Sequence, residues 1–149
     1  MRFIKGKAIL ITLLGLFVAC NGGKGDGEAG DSGEKGQAHV NIGVGPVKEM
    51  SLGELDPALA KKGKKIYESK CTSCHKFGER YVGPDLLGVT DRRSPEWIMN
   101  MILNPVEMTK KDETAKELLA TYYTQMTNQN LDRDQARAIL EYFRKKDKK

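Results

Sequence analysis

The string Cys71-Thr72-Ser73-Cys74-His75 limits this chain more than any other feature of it. Two thiols separated by two residues, with an imidazole directly after, suit four kinds of chemistry. A structural zinc site takes four ligands, usually from two such pairs. Here the remaining cysteine is Cys20 and the second histidine is His39, both far from the string. A thioredoxin-like pair sits near a βαβ pattern, and the β-branched runs for that pattern are missing. A plain disulfide fits an oxidising compartment but leaves His75 without a role. Covalent attachment of a c-type haem uses all three residues. The thiols add across two vinyl groups, and the next residue is carried beneath the ring with its imidazole in reach of iron. The string therefore reads as an anchor for one covalent haem c, with His75 as an iron ligand.

The amino-terminal stretch gives this chemistry its setting. Arg2, Lys5 and Lys7 precede an apolar run from Ala8 to Ala19, which is the pattern of a secretory signal over residues 1–20. The run is shorter than the roughly 20 residues that span a bilayer. Leu16-Phe17-Val18-Ala19-Cys20 resembles a bacterial lipobox, so Cys20 is expected to carry lipid and hold the protein on a membrane surface. Residues 21–50, with glycines at 22, 23, 25, 27, 30, 33 and 36, are expected to be a flexible linker, and His39 within them has no assigned role. Attachment of c-type haem takes place outside the cytoplasm, so signal and anchor string agree on an exported protein at the periplasmic or cell-surface side of a bacterial membrane. The net charge of +5, with Lys61, Lys62, Lys64 and Lys65 near the domain start and Lys145, Lys146, Lys148 and Lys149 at its end, gives a mildly basic domain. Export argues against nucleic acid as its partner. A solvated face accounts for the lysines, and a docking surface for an acidic redox protein is the functional alternative.

Residues 51–149 read as an all-α domain of about four helices with long loops. Asp56-Pro57 pairs an N-cap with the residue favoured at the first helical position, and Leu59, Gly63, Ile66 and Tyr67 follow at helical spacing. Ser94-Pro95 starts a second helix whose face is Trp97, Ile98, Met101 and Ile102, and Asn104-Pro105 ends it. A third runs about Thr114 to Tyr123, with Leu118, Leu119 and Tyr122 inward. The last begins near Asp132, which forms a capping-box pair with Gln135, and presents Ala138, Ile139, Tyr142 and Phe143. A helical core this rich in loops is underfilled unless a buried haem supplies apolar mass.

Over residues 54–144 these features resemble class I cytochromes c. Gly63 and Tyr67, ahead of Cys71, match family positions that meet the last helix closely, where Ile139 and Tyr142 repeat the family's aliphatic–aromatic pattern. Gly83-Pro84-Asp85-Leu86 is similar to the family's segment after the haem string, which implies that the Pro84 carbonyl accepts a hydrogen bond from His75. Trp97 matches an aromatic position that flanks the haem edge or a propionate, or serves as ordinary core. The resemblance also implies a distal methionine. Met50 precedes the domain, Met99 and Met101 lie in the Trp97 helix, and Met108 comes early in the family's order. Met126 sits just before the last helix, in Tyr122-Tyr123-Thr124-Gln125-Met126, and is expected to be the sixth ligand. A His/Met pair raises the reduction potential, as suits a carrier.

The expected function is one-electron transfer between respiratory proteins, with a terminal reductase or oxidase as partner, nitrous-oxide reductase among them by family likeness, and no enzymatic activity. Two alternatives stand beside it: a haem subunit of a larger reductase or oxidase, and a small peroxidase or sensor, which needs an open sixth position.

Overall fold

The computed structural model describes residues 40–148. The signal-like stretch, Cys20 and the Gly-rich segment through His39 lie outside the described residues. Six helices follow in order, α1 (Pro57–Lys70), α2 (Val89–Arg92), α3 (Pro95–Leu103), α4 (Pro105–Lys111), α5 (Glu113–Tyr122) and α6 (Arg133–Asp147), with no strand among the described residues. The all-α expectation holds, with two helices more than the sequence suggested.

The caps act where the sequence put them. Asp56 accepts from the Ala58 and Leu59 amides at 2.8 and 3.0 Å. The Ser94 hydroxyl accepts from the Trp97 amide at 3.2 Å. Asp132 and Gln135 form the full capping box. The extra helix α4 has a simple origin. Asn104, at φ −141° and ψ 50°, leaves the helical region because Pro follows it, which ends α3. Pro105 then stands at the first position of a new helix, where its missing N–H is harmless. α2 is a single four-residue turn tied from a distance, since the Asp147 carboxylate of α6 accepts from the Gly88 and Thr90 amides at 2.7 and 3.0 Å.

The crossing of α1 and α6 is the main packing contact. Ala60, Gly63 and Tyr67 are its buried residues on α1. Gly63 is required there, because a Cβ would run into the Ala138 carbonyl of α6. Beyond the crossing, Tyr67 sits 5.0 Å from Phe77 and 5.5 Å from Tyr142 between ring centroids, and Phe77 meets Phe143 edge-on at 5.9 Å. Glu141 is fully buried on the same helix. Its carboxylate accepts from the Asp56 amide at 2.8 Å and pairs with Arg137 and Arg144 at 2.5 and 2.9 Å.

One expectation is corrected. Residues 40–50, read as the end of a flexible linker, are packed against α3 and α4. Val47 is fully buried. Asn100 of α3 accepts from the Val47 amide at 2.9 Å and donates to the Ile42 and Val47 carbonyls at 2.9 and 2.8 Å. The packed residues therefore extend back to Asn41, which bonds to Asp112 and Ser94, rather than starting at 51.

Candidate functional site

The Cys71–His75 string leaves the end of α1 as a tight turn. The Cys71 amide still donates to the Tyr67 carbonyl at 2.9 Å, and the Cys74 and His75 amides both donate to the Cys71 carbonyl, at 3.1 and 2.9 Å. This turn gathers Cys71, Cys74 and His75 on the wall of one cavity of about 240 Å³. The Tyr67 hydroxyl donates to the His75 carbonyl at 2.9 Å. Burial, with smaller contributions from neighbours, pushes that phenol up to about 12, so it stays a donor at ordinary pH.

The loop after the string holds the imidazole. The Gly83 amide donates to the Cys74 carbonyl at 2.8 Å and brings residues 82–84 back over His75. A Cβ at Gly83 would lie 2.5 Å from His75 Cε1, so only glycine lets the backbone pass this close to the ring. His75 Nδ1 lies 3.1 Å from the Pro84 carbonyl oxygen. That oxygen can only accept, so Nδ1 carries the proton and Nε2 keeps its lone pair. Burial lowers the imidazole's pKa and outweighs the opposing effect of the Pro84 bond. His75 is thus held neutral and in one tautomer, the form that ligates a metal.

Of the residues singled out in the sequence, Cys71, Cys74, His75, Pro84, Trp97, Met101 and Met126 all line this cavity. Met108 does not. It is fully buried under residues 43 and 44, where its sulfur accepts the Val44 amide at 2.9 Å. Met99 is also fully buried, away from the lining. Met126 lies in the stretch between α5 and α6 and is half-buried. Trp97 presents its ring to the cavity but not its N–H, because Nε1 donates to Asp112 Oδ1 at 2.9 Å.

Asp112 was not foreseen. It is almost fully buried, caps α5 through the Ala115 amide, holds Trp97 and accepts from Asn41 Nδ2 at 2.9 Å. Its N-cap role was visible locally, but two of its partners lie 15 and 71 residues away. Burial, together with the Cys74 charge, pushes the Cys71 thiol up to about 11. A redox-active pair would need the opposite shift. Among the described residues, no three His, Cys, Asp or Glu side chains gather as a metal site. Among the described residues, no helix is long and apolar enough to cross a membrane.

The family model for cytochrome c matches residues 60–146. Among solved structures, the chain is 47% identical to a cytochrome c from Rhodothermus marinus, covering 69% of this chain and 90% of that one, with a TM-score of 0.68. An engineered cytochrome c from Rhodothermus marinus, Rma TDE, is 45% identical over 70% of this chain and 92% of its own, with a TM-score of 0.69. The cytochrome c domain of the pp3183 protein from Pseudomonas putida is 32% identical over 56% and 85%, with a TM-score of 0.51. No curated protein matches the chain.

Proposed function

The chain belongs to the cytochrome c family, whose domains hold haem covalently and transfer electrons with partner proteins, and we propose that it is a membrane-tethered carrier with His75 and Met126 as its iron ligands. The observation that carries this reading is the cavity itself, where a neutral imidazole with a free Nε2 shares one lining with Cys71, Cys74 and Met126. That donor set fits a covalently held haem. Cys71 and Cys74 would supply the thioethers, and reversible one-electron exchange at iron is the chemistry the haem would bring.

The chain's own residues do the rest. Pro84 fixes the imidazole's tautomer, and Tyr67 fixes its backbone. Trp97, Ile139 and Phe143 give the cavity a dry wall, which favours the less charged reduced state. Met126 would hold the iron as its second protein ligand and so keep peroxide and gases from it, which separates a carrier from a peroxidase or sensor. Cys20 would carry the lipid and residues before 40 the tether. The partners are respiratory redox proteins on the exported side of the membrane, a terminal reductase or oxidase such as nitrous-oxide reductase. The reading as a subunit of a larger oxidase or reductase uses the same site and differs only in whether the protein purifies in a complex.

The decisive variant is Met126→Ala in the haem-loaded protein. The expected result is loss of the Met-to-iron charge-transfer absorption of the oxidised form and a shift toward high spin, with covalent haem retained. If Met101→Ala removes that absorption and Met126→Ala does not, the ligand is Met101.

A further inference from the structure

The cavity is lined by two stretches far apart in the chain, the loop that follows His75 and the carboxyl end of α5. Arg80 joins them. Its guanidinium carbon lies 4.4 Å from the Tyr122 ring centroid, and Nη2 donates to the Thr121 carbonyl at 3.0 Å. Thr121 is in the last turn of α5, where carbonyls lack helical partners and the helix dipole favours a cation. Among the described residues, no carboxylate forms an ion pair with Arg80. Tyr122 and Val82 both line the cavity, as do Gln125 and Met126.

Two further features give this contact a purpose. Tyr123, directly after α5, has φ 52° and is 90% exposed. A bulky residue held in the left-handed region without burial is strained, and this turn is what sends the chain into the Met126 loop. The loop carrying Arg80 is itself braced, because Asp85 Oδ1 accepts from the Gly78 and Leu87 amides at 2.7 and 2.8 Å.

We propose that Arg80 is a positioning residue, clasping the end of α5 to the loop beside His75 and so holding the Met126 loop over the cavity; for its effect on iron this rests on Met126 being the ligand. With the clasp open, Tyr123 relaxes, the loop lifts and an added imidazole competes for the sixth position.

The test uses the haem-loaded protein with Arg80→Ala, Tyr122→Leu and Tyr122→Phe. The readouts are imidazole affinity of the oxidised form and amide exchange at residues 123–126. Arg80→Ala and Tyr122→Leu are expected to raise both by about fivefold, the factor that ~1 kcal/mol gives, while the amides of α1 and α6 keep their rates. Tyr122→Phe keeps the ring and is expected to stay within about twofold of the parent. Arg80→Ala with exchange at 123–126 unchanged, or with α6 accelerated equally, overturns the clasp. Met126→Ala leaving the oxidised spectrum unchanged overturns the ligand reading instead, and amide exchange alone then decides the clasp.

Discussion

The α1–α6 crossing and the opposite side of the molecule, α4, α5 and the stretch to Asp132, bury their apolar residues in different ways. At the crossing, protein meets protein directly. Gly63 touches the Ala138 backbone, Tyr67 fills the space beside it, and Glu141 is surrounded by its own donors. On the other side, Leu118, Leu119, Tyr122 and Met126 all line the cavity. In α5, only Ala115 is fully buried. The crossing packs helix directly on helix, while α5 leaves its apolar side to what fills the cavity, to whose wall α6 adds Ile139 and Phe143. The comparison teaches that a prosthetic group can be counted as core.

The largest expected effect breaks that comparison. Left without its filling, the cavity exposes the apolar side chains of Leu118, Leu119, Ile139 and Phe143 to water. The Cys71→Ser/Cys74→Ser variant, made without haem, is therefore expected to lose cooperative thermal unfolding, with α4 and α5 exchanging amide hydrogens first. A melt as sharp and as high as that of the haem protein would show that the open side needs no filling.

A smaller effect tests the closed side. Gly63→Ala places a methyl group against the Ala138 carbonyl. The better helix propensity of Ala offsets about 1 kcal/mol, yet overpacking of a backbone contact is expected to dominate and lower stability by roughly 2 kcal/mol. Denaturant unfolding of the haem form checks this, and a stabilised variant would mean that the two helices can slide apart at no cost.

The smallest effect is a pH dependence. Burial raises the Glu141 carboxyl's pKa, but the Asp56 amide and the Arg137 and Arg144 guanidinium groups outweigh it, and the net shift is downward from 4.5. A depressed carboxyl adds stability that is present above its unfolded pKa and is lost as pH falls through the folded one. Stability of the parent protein should therefore drop from about pH 5 downward, and Glu141→Gln should flatten that slope while costing stability at neutral pH. Parallel slopes for the two proteins between about pH 5 and 3 would remove Glu141 as the cause.

Much of the closed side was legible in the sequence, because its signals are local. Asp56, Ser94 and Asp132 are caps whose partners lie within three residues, and the Cys71–His75 string carries its own spacing. The open side and the amino-terminal edge were harder. Pro105 ends one helix and starts the next, a double role that a stop signal alone does not reveal. The residues from 40 to 50 looked like linker because they continue a Gly-rich stretch, although Val40, Ile42, Val44, Val47 and Met50 already carry apolar mass. Their glycines are instead an accommodation, since Gly43 passes under Met108 and Gly45 against Asn100. Asp112 and Arg80 act through partners 71 and 41 residues away, and no periodicity within a helix encodes such distances.

Trp97 is the only tryptophan in the chain, and its ring forms part of the cavity wall while its N–H is held by Asp112. The protein thus contains its own optical probe. Indole emission should be almost wholly quenched by energy transfer when a haem lies alongside, and should return, red-shifted by water, once the Asp112 contact is lost. A single fluorescence trace during unfolding would therefore report on the cavity wall, beside a circular dichroism signal that sums the helices of the whole fold.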